Sequence, residues 1–401
     1  MHRKAMMTTS NGAQSAHRQR NVILVTVAVA LYWAALYLYR PTLPTYIKSQ
    51  VPDNLPLVGV VLSMYGLGQM IMRVPLGILS DWAGRRKPFI IGGFLLAAVG
   101  AATMGLFPNA NGLLGGHAVV GVAASTWVPL VVLFSSLFPP KEAVRASALL
   151  TLVSSSSRMV ATGVTGMLNE QFGYTLAFVL AAGAAVMAAL VIAPSRETPV
   201  TRRAPTLKTL GRLAIRRDVL LPSLLSMLFM YSNWATTYGF VPIIARDLGA
   251  SDVLISRMFM MNLFVTALCN WFTSAAVNRF GARPMVYLTF VSVGLGVAGA
   301  AWAPTLAWLF ASQLLMGVAH GVGYPVLMGL SIRDVEESQR TTAMGLHQSI
   351  YAIGMFAGPA VTGLLAAATS IQLAFYVTAT VTLIAGLFGT RLMRGGGARH
   401  A

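Results

Sequence analysis

Runs of roughly twenty apolar residues follow one another along this chain, about twelve in all, with short polar or Gly/Pro-rich breaks between them. A helix needs about that length to cross the hydrocarbon core of a bilayer. The expected spans begin near Val22, Leu57, Pro88, Leu113, Ala143 and Tyr174, and then near Val219, Val253, Pro284, Leu306, Thr342 and Ile371. Composition excludes the soluble alternative. Of 401 residues 56% are hydrophobic and 10% charged, whereas a soluble domain carries about a quarter charged residues. The expected class is therefore all-α integral membrane with twelve transmembrane helices. The first span is longer than a signal-peptide core and lacks a clear cleavage site. The polar, basic segment 1–20 reads as a disordered cytoplasmic tail. Cys269, the single cysteine, excludes an intramolecular disulfide and a cysteine-based metal cluster.

Lys and Arg fix the expected orientation, because they accumulate in loops left on the cytoplasmic side. With the amino terminus inside, the inner segments hold Arg3, Lys4, Arg18, Arg20, Arg85, Arg86, Lys87, Lys141, Arg145, Arg279, Arg283, Arg333, Arg340, Arg391, Arg394 and Arg399. The linker adds Arg196, Arg202, Arg203, Lys208, Arg212, Arg216 and Arg217, while the outer loops offer Lys48 and Arg246. Both termini are expected in the cytoplasm of a cell with this protein in its inner membrane. The net charge of +18 is then a topology signal facing anionic lipid, with no nucleic-acid partner.

The two halves repeat each other. Asp81-Trp-Ala-Gly84 recurs as Asn278-Arg-Phe-Gly281, 197 residues on, and Gly121-Val-Ala with Pro129 recurs as Gly317-Val-Ala with Pro325, 196 on. Val164-Thr165-Gly166 returns as Val361-Thr362-Gly363, and Leu176-Ala177-Phe178 as Leu373-Ala374-Phe375. A repeat in register across four helix pairs divides the chain into a tail 1–20, a six-helix bundle 21–194, a basic cytoplasmic linker 195–218, a second six-helix bundle 219–394 and a tail 395–401. Such paired bundles place a substrate site at their interface near mid-membrane.

The run Gly77-Ile-Leu-Ser-Asp81-Trp-Ala-Gly84-Arg85-Arg86-Lys87 resembles the signature loop between the second and third helices of the major facilitator superfamily, in its twelve-helix bacterial permease and efflux type. The resemblance implies that Asp81 sits at the start of the eleventh helix near a basic residue such as Arg145 and clasps the bundles when the cytoplasmic side is closed. A carboxylate there is stabilised by free N–H groups and the helix dipole. Gly77 and Gly84 would let backbones approach and turn tightly, and Arg85 and Arg86 complete the motif. Asn278 replaces the acid in the second half, so the gate is expected to be asymmetric. The Gly-Pro-rich signature that many drug/proton antiporters of the superfamily carry in the fifth helix is absent. Ser154-Ser-Ser-Ser157-Arg158-Met-Val-Ala-Thr-Gly163 stands there instead, and Gly354-Met-Phe-Ala-Gly358-Pro359 lies in the eleventh helix.

Charges within the hydrocarbon region are costly and mark function. All eleven acidic residues fall in loops or at expected helix ends. The deeply placed ionisable groups are instead Arg40, Arg73, Arg158, His117, His320 and His347, with Arg257 near an outer end. Trp33, Tyr37 and Arg40 share a face of the first helix at i, i+4 and i+7. Thr151, Ser155 and Arg158 share one on the fifth, and Arg158 is too deep to snorkel. Arg73 either meets the pathway or organises the Asp81 gate. Tyr231, Trp234 and Tyr238 beside Asn233 on the seventh helix, His320 with Tyr324 on the tenth and His347 with Tyr351 on the eleventh complete the candidate pathway. No metal site, cofactor or catalytic set is expected.

Arginine, histidine and aromatic groups without a deep carboxylate suit an anionic, zwitterionic or amphipathic small molecule, because a buried guanidinium needs a counter-charge. The expected function is secondary transport of such a metabolite by alternating access, leaning to efflux on the exporter-like Tyr39-Arg40-Pro41-Thr42-Leu43-Pro44, by a monomer in the bilayer and with a proton as candidate coupling ion. Alternatives are a proton-coupled multidrug exporter, an organic-anion uptake permease and a lipid flippase. An enzyme is disfavoured, since no nucleophile–base set or metal motif is visible.

Overall fold

A computed structural model of the chain describes residues 2–139, 142–197 and 207–393, with side chains from Arg18 onward except at 143, 144, 207, 208, 338 and 341. Lys141, Arg202, Arg203, Arg394 and Arg399 lie outside the described residues, and the side chains of Arg3, Lys4 and Lys208 are likewise not described. The helices in chain order are α1 (His2–Tyr37), α2 (Leu43–Gln50), α3 (Leu55–Trp82), α4 (Lys87–Leu106), α5 (Ala110–Ala124), α6 (Trp127–Ser136), α7 (Ala143–Phe172) and α8 (Tyr174–Ile192). After the linker come α9 (Leu207–Ile215), α10 (Arg217–Ala235), α11 (Val241–Asp247), α12 (Asp252–Phe280), α13 (Ala282–Trp302), α14 (Leu306–Arg333), α15 (Arg340–Ala368) and α16 (Ile371–Leu392).

Among the described residues ten helices are long and apolar enough to cross a membrane, counting α5 and α6 as one span, Ala110–Ser136. Two more complete the expected twelve. One is α7, whose serines and Arg158 lower its hydropathy, and the other is α10, which continues through a π-helical turn, Thr236–Phe240, into α11. The chain is a multi-pass membrane protein. Short polar side chains set where several spans begin: Asn54 accepts from the Leu57 amide at 3.0 Å, Asn109 from Gly112 at 3.0 Å and Ser370 from Leu373 at 3.1 Å. The tail expected to be disordered is different: α1 starts at His2, and no proline stands before Pro41 to stop it.

In the first half α1 packs against α7 and α8, and α4 against α5 and α8; in the second, α13 lies against α14 and α16, and α10 against α14 and α15. The halves meet along two crossings, α3 on α15 and α7 on α12, which the internal repeat maps onto each other. The repeated Val-Thr-Gly explains why they are so close. A Cβ on Gly166 would strike the Asp252 carbonyl at the start of α12, and one on Gly363 would meet the Leu55 carbonyl at the start of α3 at 2.6 Å. Small residues let helices in lipid gain contact where burial from water supplies little drive. Leu95, Val99, Leu190, Ile384 and Phe388 stay exposed on the outer faces, where lipid covers them.

The second part of the linker is ordered. Leu213 of α9 is buried with Val219, Val335 and Ala343, so this helix seals part of the end of the second bundle that carries the basic loops. At the opposite end the bundles touch through polar groups. Lys48 pairs with Asp247 at 3.1 Å, and Glu170 of α7 accepts the Val253 amide at 3.0 Å, capping α12 across the interface.

Candidate functional site

Between the bundles, near the middle of their spans, lies a cavity of about 250 Å³. Four local features build its wall. Pro41 ends α1 at Tyr37, since the residue before a proline is pushed out of the helical region. Arg40 therefore sits in an irregular turn rather than on the first helix, correcting the expected i, i+7 stripe. Its side chain folds back, with Nε donating to the Leu36 carbonyl at 3.2 Å. The guanidinium carbon lies 4.3 Å from the Tyr65 ring centroid, 5.0 Å from Tyr37, 5.3 Å from Trp234 and 5.9 Å from Tyr238. These four rings surround a cation that is 5% exposed, an electrostatic cage of quadrupoles with no carboxylate.

The π-helical turn after Ala235 delivers the second feature. Trp234 stacks on Tyr65 at 4.9 Å and on Tyr238 at 5.0 Å, and the Tyr238 hydroxyl lies 3.5 Å from that of Tyr37 across the bundles. Such turns commonly re-aim side chains at working sites. The third feature is Arg158 on α7. Nε donates to the Ser154 carbonyl at 3.1 Å and Nη2 to the Ser155 hydroxyl at 3.3 Å, and the guanidinium covers the Trp33 ring at 4.7 Å. Trp127, at the break between α5 and α6, meets Trp33 edge-on at 5.0 Å.

Arg73 supplies the fourth. It reaches from α3 to α15, where Nη1 donates to the Gln348 carbonyl oxygen at 2.8 Å and the Tyr351 hydroxyl at 2.5 Å, while Nη2 donates to Gln69. It thus lines the cavity and bridges the bundles, and its hydrogen bonds go to these three groups rather than to Asp81.

The cavity brings together Trp33, Tyr37, Arg40, Arg73, Ser155, Arg158, Trp234, Tyr238, His320, Tyr324 and Tyr351 of the residues singled out from sequence. Two do not line it. His347 is buried between two serines of α10, with Ser223 Oγ 3.0 Å from Nδ1 and Ser226 Oγ 3.1 Å from Nε2, so it joins α15 to α10 behind the wall. Asn233 stands behind His320, its amide 3.1 Å from the ring Nδ1. His117 bonds the Val61 carbonyl at 2.8 Å within the first bundle, Tyr231 faces a lateral groove with Ile353 and Val381, and Arg257 is exposed. Tyr65 and Trp127 were missed, while Gln69 shares a face with Arg73 in the sequence without being named for the site. Tyr65, Gln69 and Arg73 are spaced i, i+4 and i+8, a pattern that would have flagged Tyr65; the role of Trp127 depends on the helix break.

Unpartnered atoms define what the cavity lacks. Trp33 Nε1, Arg40 Nη2, Gln69 Nε2 and Arg73 Nε are buried without hydrogen-bond partners. All four belong to lining residues and all are donors. No Asp or Glu stands among the described residues that line the cavity.

At the basic end, Asp81 pairs with Arg86 at 2.8 Å, inside its own bundle, and Arg145 lies 3.7 Å from Glu142. Glu197 accepts the Arg86 and Lys87 amides at 2.6 and 3.0 Å, capping α4. Gly84 takes a φ of +63°, which supplies the expected tight turn. Gly77 makes no close approach: a Cβ there would meet nothing within 4 Å. A cavity separates it from α15, lined by Gly77 and Asp81 on one side and Thr342 and Gly345 on the other. Among the described residues Asp81 is paired with Arg86 of its own bundle and with no group of the second one.

A family model described as Major Facilitator Superfamily matches residues 25–232 and 223–398. Among curated proteins the chain is similar to the inner membrane transport protein YajR of Escherichia coli (strain K12), 24% identical over 344 residues, with 83% of this chain and 74% of the relative covered. It is also similar to a chloramphenicol efflux pump of Mycobacterium tuberculosis (strain ATCC 25618 / H37Rv), 25% identical over 397 residues, covering 92% of this chain and 91% of the relative. Among solved structures the nucleoside transporter NupG superposes with a TM-score of 0.78 at 14% identity, covering 94% of this chain and 99% of that one.

Proposed function

Because the chain belongs to the Major Facilitator Superfamily, we propose that it is a secondary transporter that carries a small organic anion or zwitterion across the cell's inner membrane by alternating access. One observation carries the choice of cargo: Arg40, Arg73 and Arg158 line the interbundle cavity with no carboxylate among the described lining residues. A buried guanidinium without a counter-charge is costly, and an acidic solute supplies that charge. The orphaned donors ask for the same partner, since an acceptor-rich ligand satisfies them and a cationic one does not.

With the basic end and both termini in the cytoplasm, the mid-span cavity lies on the cytoplasmic side of a latch at the outer face, Lys48–Asp247 and Glu170. Anion binding draws Arg40 and Arg158 toward one solute and lowers the cost of burying them. The gate at Asp81 then closes on the start of α15, and the outer latch releases. Efflux is the proposed direction, supported by the similarity to a protein named as an efflux pump. His320, the histidine in the cavity wall, is the candidate proton carrier.

Proton-coupled multidrug export is the second reading. It is favoured by the aromatic wall of Trp33, Tyr37, Tyr65, Trp127, Trp234 and Tyr238, which suits a flat amphipathic compound whatever its charge. A thermal-shift screen of the purified protein separates the two, because a ligand that binds the folded state raises its apparent stability. Organic acids are expected to stabilise the wild type and to lose that effect in Arg158→Ala. Stabilisation confined to lipophilic cations overturns the anion reading in favour of multidrug export.

A further inference from the structure

We propose that the cargo is a dianion with a flat apolar body, and that Arg40 and Arg158 each take one of its acidic ends. This rests on the anion reading above and narrows it. The two arginines come from separate elements yet attend the same ring: their guanidinium carbons lie 5.0 and 5.8 Å from the Tyr37 centroid, which puts them at most 10.8 Å apart. Neither faces a carboxylate among the described lining residues.

Each is held from behind by its own backbone, Arg40 through the Leu36 carbonyl and Arg158 through the Ser154 carbonyl. That anchoring fixes two cationic points in space. Arg40, 5% exposed, keeps Nη2 without a partner in the cavity wall. Arg73 differs, because Gln69, Gln348 and Tyr351 already accept from it. Two cations therefore await counter-charges. A monoanion neutralises one and leaves the other, the buried Arg40 or the half-buried Arg158, unpaired, whereas a dianion neutralises both.

Aromatic surface lies beside both points. Trp33 and Tyr37 sit 5.9 Å apart along one side, and the Trp234–Tyr65 stack extends from Arg40. A guanidinium and a carboxylate in bidentate contact have their carbons about 4 Å apart. Within the upper bound on the arginine separation, acid groups a few ångströms apart on one ring can each meet one arginine from the side, with the ring plane against the indole and phenol faces.

Isothermal titration of the full detergent-purified chain tests this with phthalate, isophthalate and terephthalate, which differ in acid separation, against benzoate and benzyltrimethylammonium. At least one diacid is expected to bind about tenfold or more tighter than benzoate, the worth of one charge-assisted contact. Arg40→Gln and Arg158→Gln are each expected to bring that diacid to the level of benzoate. Arg40→Lys and Arg158→Lys keep the charge, guard against variants that fail to fold, and are expected to keep part of the preference. Benzoate binding as tightly as every diacid overturns the two-point inference and leaves the anion reading standing. Binding of benzyltrimethylammonium with no binding of any acid overturns both.

Discussion

At the scale of single residues, three arginines in one cavity do different work, and their neighbours say which. Arg158 curls over Trp33 with its own helix behind it. Replacing it by Ala is expected to cut transport of an organic anion by tens to thousands of fold, the cost of about 2–5 kcal/mol for removing one partner of a buried charged contact. The amount of folded protein is expected to be unchanged, and normal transport by that variant removes Arg158 from the site. His347 makes the opposite prediction. It bridges Ser223 and Ser226 behind the wall, so His347→Leu strands the buried Ser226 hydroxyl, while Ser223 keeps its bond to the Val219 carbonyl at 2.6 Å. Thermal unfolding should show a loss of about 1–3 kcal/mol, with substrate affinity in the remaining folded protein unchanged. A changed affinity at wild-type stability would return His347 to the pathway.

At the scale of elements, two helix crossings hold the halves together, and each depends on a glycine at the same place in the repeat. Gly363 lies against the start of α3 and Gly166 against the start of α12. Gly363→Val is expected to force α15 from α3 and to cost about 1–3 kcal/mol of overpacking, read as a lower melting temperature and less extractable monodisperse protein. The π-helical turn at Thr236–Phe240 is the other decisive element. It follows Trp234 and contains Tyr238, and these two rings stand with Tyr65 about Arg40.

At the scale of the whole molecule, polar links join the bundles at the end opposite the basic loops, Lys48–Asp247 and Glu170 on α12, the outer latch of the proposed cycle. The exposed Lys48–Asp247 pair contributes little, about 0–1 kcal/mol, so this closure is weak enough to reverse. In a Cys269→Ser background, a cysteine placed at the cavity residue Thr266 is expected to react with a membrane-impermeant thiol reagent from the cytoplasmic side and to be protected from outside. Equal labelling from both faces would contradict the closed outer latch. In the proposed alternating-access cycle Arg73, bonded to Gln348 and Tyr351 across the interface, is the internal link that breaks and re-forms as the bundles rock.

The membrane class, the helix order and the two-bundle division were legible in the sequence, because a bilayer forces apolar runs of fixed length and a duplicated chain keeps its glycines and turns in register. The starts at Ala143, Tyr174, Leu306 and Ile371 coincide with α7, α8, α14 and α16 for that reason. The arginines, too, were visible, since a charge in an apolar run has no ordinary reason to be there. Tertiary structure decided what each one meets. Helical spacing alone put Arg40 on α1 and His347 in the cavity, but Pro41 turned the first off its helix and two serines on α10 captured the second. Side-chain direction at a helix end, and the choice of partner across an interface, come from packing between segments some 120 to 280 positions apart, as for His347 with Ser223 and Arg73 with Tyr351, and local pattern carries no record of such pairings.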